Sequence, residues 1–181
     1  MQVFRRLGTL PAAATVLTGM TAVQMTLVAA GNITDFGTNQ TFVRHVLAMD
    51  TTFQSPHMMW RAITSTGVAD AIYVAIIAWE LITALALIAG FFAGIRSHLA
   101  GRTLPMASQL SNLGWVMQLT LFGVGFMAIG GEWFQMWQSS KWNGLSPAFQ
   151  NVIVASLGLI LTHLATKESK QAANPTDGSS N

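Results

Sequence analysis

Glu80 is the residue whose position most constrains the chemistry open to this chain. It stands in DAIYVAIIAWELITALALIAGFF, residues 70–92, where the only other acid is Asp70. If the run is a membrane helix, a rise of 1.5 Å per residue puts Glu80 about 15 Å beyond Asp70, near the bilayer middle if Asp70 marks its outer edge. A charged carboxylate at that depth costs about 3 kcal/mol or more, so Glu80 must be neutral, paired or wetted. At about 100° per residue, Asp70, Tyr73 and Glu80 fall within a sector of roughly 80°, with Ile77 and Ala84 between them. That sector should face neighbouring helices, and by depth the available intramembrane partners are Gln118 and Gln24. Two readings stand side by side. One is an interhelical hydrogen bond from a protonated Glu80, worth about 1 kcal/mol or less; the other is a proton or cation site, because intramembrane ionisable residues are commonly functional.

A second group of chemically able residues clusters in two polar segments: His45, Met49, Asp50, His57, Met58 and Met59, then Glu132 and Met136. Imidazole with thioether suits Cu(I), and imidazole with carboxylate suits Zn. The spacing matches no standard metal site, and methionine is also an adaptable filler of apolar surfaces. His57, Met58, Met59 and His45 are therefore the metal candidates, with packing as the competing explanation. Bis-histidine haem ligation needs imidazoles facing each other within the helices, whereas His98 falls in the cytoplasmic loop, His163 at the inner end of the last apolar run, and His45 and His57 outside. No serine stands in a nucleophile elbow. With no cysteine, thiolate chemistry and disulfides are excluded, and no cofactor is assigned.

The third feature is IGGEWFQMWQSSKWNG, residues 129–144, which carries three of the six tryptophans. Trp133 and Trp137, four apart, would share a helix face. A membrane-interface aromatic belt accounts for them. It accounts less well for Glu132, Gln135, Gln138, Lys141 and Trp142 crowded into the same run, which reads as a folded cap packed on the loop carrying His57 and Trp60. Glu132, Trp133, Trp137, Trp142 and Trp60 are thus candidates for an outer-face interface with a partner.

The elements that must position these residues follow from composition. Of 181 residues 51% are hydrophobic and 9% charged, against roughly 25% charged in soluble domains. Four apolar segments, 10–31, 69–94, 110–131 and 148–165, are long enough to cross a hydrocarbon core about 30 Å thick. The expected fold is all-α, an integral membrane four-helix bundle of residues 10–166 with a short-helix cap on the outer, periplasmic face. Arg5, Arg6, Arg96, Arg102, Lys167 and Lys170 flank one side and only Arg44, Arg61 and Lys141 the other, which puts both termini in the cytoplasm. The net charge of +2 is too small and dispersed for nucleic acid. The first span, preceded by Arg5 and Arg6, also fits a signal peptide, but its apolar core exceeds the usual 7 to 15 residues, and it is read as a retained helix.

Within this frame, Thr15, Thr18, Gly19, Ala22, Thr26 and Ala29 put small or hydroxyl groups along one side of the first helix, as close helix packing in lipid requires. The outer segment 32–68 is too long for a turn. Phe42, Val43, Val46 and Leu47 mark one short helix there, and HMMWRAITS beyond Pro56 a second. Asn32 and Asn39 head glycosylation-type triplets, which matter only in a host that modifies this face. Residues 132–147 form the second outer loop, with Ser146 and Pro147 placed to start the last helix. Residues 1–9 form a short cytoplasmic start, and 167–181 a polar, disordered cytoplasmic tail.

NITDFGTNQTFVRHVLAMDTTF, the Glu80-bearing helix, and IGGEWFQMWQSSKWNG with the following PAFQN together resemble a bacterial family of small predicted integral membrane proteins, domain of unknown function 2165. The resemblance covers roughly residues 8–165 and implies a four-helix inner-membrane protein. It carries over no activity, cofactor or catalytic residue.

Three function classes are compatible with these features. The first is a non-enzymatic accessory or assembly protein of a larger membrane complex, respiratory or photosynthetic, with lipid and a protein partner or a second copy as its contacts. The second is a small transporter or an ion, quinone or lipid binder using Glu80 and Asp70, which requires a wet cavity reaching those groups. The third is an outer-face metal protein or enzyme using His57, Asp50 or Glu132, which requires those groups to converge.

Overall fold

The computed structural model describes residues 8–101 and 105–173. Among them every regular element is helical: α1 (Leu10–Thr34), α2 (Phe36–Ala48), α3 (Thr66–Ala100), α4 (Pro105–Leu119) and α5 (Leu145–Ala173). The helix begun by α4 continues as a π-wound stretch, Thr120–Trp133, and single 3₁₀ turns occupy Met59–Arg61 and Met136–Gln138. Four helices are long and apolar enough to cross a membrane: Leu10–Thr34, Thr66–Ala100, Pro105–Trp133 and Leu145–Gln171. They contain the four expected apolar segments, and most extend past them by a turn or more.

Helix ends follow local chemistry. Pro11 sits in the first turn of α1, where a missing N–H costs nothing. Gly101 closes α3 in the left-handed conformation, φ 63°, its N–H reaching the carbonyls of Ser97 and His98. Helix α5 starts at Leu145, one residue before the expected cap, with the Asn143 side chain accepting the Leu145 N–H at 3.1 Å.

The four long helices form a closed ring in which α1 packs on α3, α3 on α4, α4 on α5 and α5 back on α1. Small side chains make up most of the buried face of α1. On α1 the large Val16, Met20, Val23 and Leu27 are 58 to 66% exposed, while Ala14, Thr18, Gly19, Ala22 and Ala29 are buried. This inverts the soluble pattern and suits lipid, where apolar burial gives no drive and close backbone approach does. Trp115, Met25 and Leu87 fill the centre among Ala22, Ala84, Ala148 and Ala155. Gly158 makes room for the Trp115 indole, and Gly90 for Ser111, whose backbone nitrogen would lie 2.8 Å from a Cβ there.

Helix α3, with 35 residues, is about 52 Å long and exceeds a hydrocarbon core of about 30 Å. Its first turns are covered by α2, through an apolar cluster of Val43, Leu47, Met49, Ala69, Tyr73, Ile77 and Phe134. The first of the two expected short helices is thus α2. The second is only the turn Met59–Arg61, because the chain straightens after it to bring the Ile63 N–H onto the Leu47 carbonyl at 2.8 Å. At the other end α5 runs through Ala173, so residues 167–173 of the expected disordered tail are helical, in keeping with the helix propensity of KESKQAA. Residues 174–181, along with Arg5, Arg6 and Arg102, lie outside the described residues.

Candidate functional site

Glu80 is buried, 3% exposed, and its partner is on α1. Asn32 Nδ2 donates to Glu80 Oε2 at 2.7 Å. Asn32 Oδ1 accepts in turn from Asn39 Nδ2 on α2, and the Asn32 carbonyl accepts from the Tyr73 hydroxyl at 3.2 Å. Phe36 closes the site beside Tyr73, ring centroids 4.7 Å apart. One asparagine therefore ties together the last turn of α1, the first turn of α2 and the polar sector of α3. The sequence reading assigned Asn32 to a loop; α1 runs on to Thr34 and carries it into the bundle.

The other members of the expected intramembrane site go elsewhere. Asp70 takes a bidentate pair from Arg44, Nε at 2.8 Å and Nη2 at 2.7 Å, at a partly exposed position. The hydrogen bond to Asp70 raises the Arg44 guanidinium above its ordinary value, against a smaller opposing effect of burial. Gln118 is fully buried and donates to Asn151 Oδ1 at 3.0 Å, an oxygen that also accepts from Gln24 at 3.3 Å. Asn151 Nδ2 reaches the Pro147 carbonyl at 2.9 Å, and Gln118 Oε1 is buried with no hydrogen-bond partner. Of Glu80, Asp70, Tyr73 and Gln118, only Tyr73 joins Glu80, and it does so through Asn32. Asn32, Arg44 and Asn151 were not singled out as partners from the sequence, and only their polarity beside or inside apolar runs could have marked them.

The metal candidates sit in different surroundings. His45 Nδ1 is 2.7 Å from Asp50 Oδ2 and its ring stacks on Trp142 at 4.6 Å, while His57 is exposed. Met58 and Met59 pack against the α2–α3 cluster, and Met49 and Met136 are buried. Among the described residues no three His, Asp or Glu side chains form a group able to hold a metal ion.

The two loops at this end pack on each other. Thr51 and Ser139 hydroxyls meet at 2.8 Å, and Gln138 Oε1 accepts the Phe53 N–H at 2.8 Å. Trp60 lies edge-on to Trp133 at 5.6 Å and Phe53 to Trp137 at 5.8 Å. The Arg61 guanidinium stands 4.5 Å over the Trp133 ring, and Lys141 Nζ 4.9 Å from that of Trp142. Trp133 and Trp137 do not share a helix face: the helix ends at Trp133, Gln135 turns left-handed at φ 54°, and Trp137 starts afresh in a 3₁₀ turn. Glu132 is exposed beside them.

A family model described as predicted small integral membrane protein (DUF2165) matches residues 10–165. The chain belongs to this family. No curated protein and no solved structure matches it. The match places the DUF2165 chain in the membrane as a multi-pass protein. Within that setting, the polar groups of the bundle are engaged mainly with one another. Asn32 offers Glu80 a hydrogen bond in either protonation state of the carboxyl, since both states accept one.

Proposed function

We propose that this DUF2165 protein is a non-enzymatic accessory subunit of a larger membrane assembly. It would lie in the inner membrane of a bacterium, with both termini in the cytoplasm and the packed loops outside. The observation that carries the reading is the aromatic rim at the loop end. Phe53, Trp60, Trp133 and Trp137 remain 72, 70, 44 and 48% exposed although each packs edge-on against another ring. Two loops converging on exposed, mutually supported aromatics with Arg61 between them have the make-up of an interface hot spot. The distribution of Lys and Arg supports the orientation.

A polar route through Glu80 and Asp70 has less support, because Asn32 and Arg44 already engage those carboxylates. An outer-face reaction has less still, since His45 is already engaged by Asp50 and Trp142.

The test is mild detergent extraction of tagged protein from its native membrane, beside a Trp60→Ala/Trp137→Ala double variant. Wild type should carry a larger membrane partner at fixed stoichiometry, and the double variant, with helicity unchanged, should come alone. Recovery of wild type only as a monomer or as copies of itself would refute the subunit reading.

A further inference from the structure

At the end of the bundle remote from the packed loops, α1, α3, α4 and α5 leave between them a cavity of about 880 Å³. That is within the size range of small-molecule sites, about 300 to 1,000 Å³. Its wall is largely apolar and includes Ala14, Gly90 and Gly94.

Six of the hydroxyls in this wall share one polarity, and the wall also holds Ser111 and the exposed donor side chains Gln109 and Lys170. Thr15 and Thr18 on α1 donate to the carbonyls of Pro11 and Ala14, both at 2.8 Å. Thr162, Thr166 and Ser169 on α5 donate to Gly158, Thr162 and Ala165 at 2.7, 2.8 and 2.9 Å. On α4, Ser108 donates to Pro105 at 3.0 Å. A hydroxyl has one proton and two lone pairs, so each of these oxygens has spent its proton on its own helix and can only accept from the cavity. Three of them already have a second contact: Thr162 lies 3.3 Å from the Trp115 indole nitrogen, Thr18 3.5 Å from Ser111 Oγ, and Thr15 3.2 Å from His98 Nε2.

We propose that this cavity is a binding site for a compact amphiphile whose head group donates hydrogen bonds, an alcohol, phenol or amine on an apolar body. Away from the exposed Gln109 and Lys170, an apolar wall studded with acceptors selects such a molecule against one of the same shape whose head only accepts, because an accepting head leaves its own lone pairs and those of the hydroxyls facing each other unpaired. The acceptors extend down to Thr18 and Thr162, 1% and 5% exposed, so the selection operates inside the bundle.

Equilibrium dialysis of full-length protein in lipid nanodiscs, with empty nanodiscs as baseline, tests this with three probes on one naphthalene body: 1-naphthol, 1-naphthylmethylamine and 1-acetylnaphthalene. At least one donor probe should bind about tenfold tighter than the ketone, and which of the two does so separates a hydroxyl ligand from an ammonium one. Thr18→Val keeps the side-chain shape and removes an acceptor, and should weaken the preferred donor by about fivefold while leaving the ketone unchanged. Ser108→Trp should fill the cavity and abolish binding of all three. If Thr18→Val does not fold, Thr166→Val, at a half-buried position in the same wall, replaces it. Equal or tighter binding of the ketone, no binding above empty nanodiscs, or donor binding indifferent to both substitutions would overturn the proposal.

Discussion

Asn32 Nδ2 lies 2.7 Å from Glu80 Oε2 across the α1–α3 interface, and the same asparagine receives the Tyr73 hydroxyl on its carbonyl at 3.2 Å. A buried carboxyl that would be costly without a partner is thereby made part of the helix contact.

Removing Asn32 should therefore cost more than changing Glu80. Asn32→Leu leaves a buried carboxyl without its donor, a loss of about 1 to 3 kcal/mol. Glu80→Gln retains an acceptor for Asn32 and should stay within about 1 kcal/mol of wild type. Unfolding by SDS titration in mixed micelles measures both. An Asn32→Leu protein as stable as wild type would contradict the pairing. A Glu80→Gln protein that folds normally but loses its partner would show that Glu80 does more than hold helices together.

Arg44 and Asp70 form a two-pronged pair whose geometry lysine cannot reproduce. Arg44→Lys should loosen α2 from α3 locally. Hydrogen exchange at α2 amides should speed up, while exchange in the centre of the bundle, around Trp115, stays unchanged. Uniform acceleration in both regions would mean that α2 and the spanning helices unfold as one unit.

These two sites also show where sequence reasoning reaches and where it stops. The four spans were legible because apolar runs of membrane length admit few other structures. Glu80 was legible as the costly group, and Tyr73 as its neighbour, because helical spacing fixes which residues share a side. Spacing on one helix is silent about the helix opposite. Asp70 lies ten positions from Glu80, about 15 Å along the axis, and was met by Arg44 from an element whose docking no periodicity encodes. Gln118 had the depth to reach Glu80 but points to Asn151 on α5. Asn32 was misplaced because a polar residue at the end of an apolar run reads as the start of a loop.

Glycines of α1 and α5 should respond oppositely to enlargement. A Cβ at Gly158 would run into the Trp115 indole, whereas one at Gly31 would meet nothing within 4 Å. Gly158→Leu should cost about 1 to 3 kcal/mol through overpacking. Gly31→Ala should be neutral or stabilise by up to about 1 kcal/mol. The same SDS titration decides, and a Gly158→Leu protein of undiminished stability would mean that α5 can move away from α4 at little cost.

The last prediction concerns the change of winding in the third spanning helix. The third spanning helix passes from i→i−4 to i→i−5 bonding at Thr120, a change of winding that is rare in helices and usually confined to short stretches. The π-winding starts at Thr120, and just before it the Met117 carbonyl accepts the Trp79 indole N–H from α3 at 2.9 Å. Trp79 thus ties α3 to the helix turn next to the change of winding, and nothing in the sequence of either helix alone announces this. Trp79→Phe preserves most of the ring and removes only the donor, so it should destabilise the protein by about 0.5 to 1.5 kcal/mol. If the tie also holds the π-winding in place, the helix should instead regain i→i−4 bonding, which rotates residues beyond Thr120 and disturbs the Trp133 rim. Stability and the fluorescence of the loop-end tryptophans distinguish the two. If neither changes, the Trp79 bond does not hold the junction.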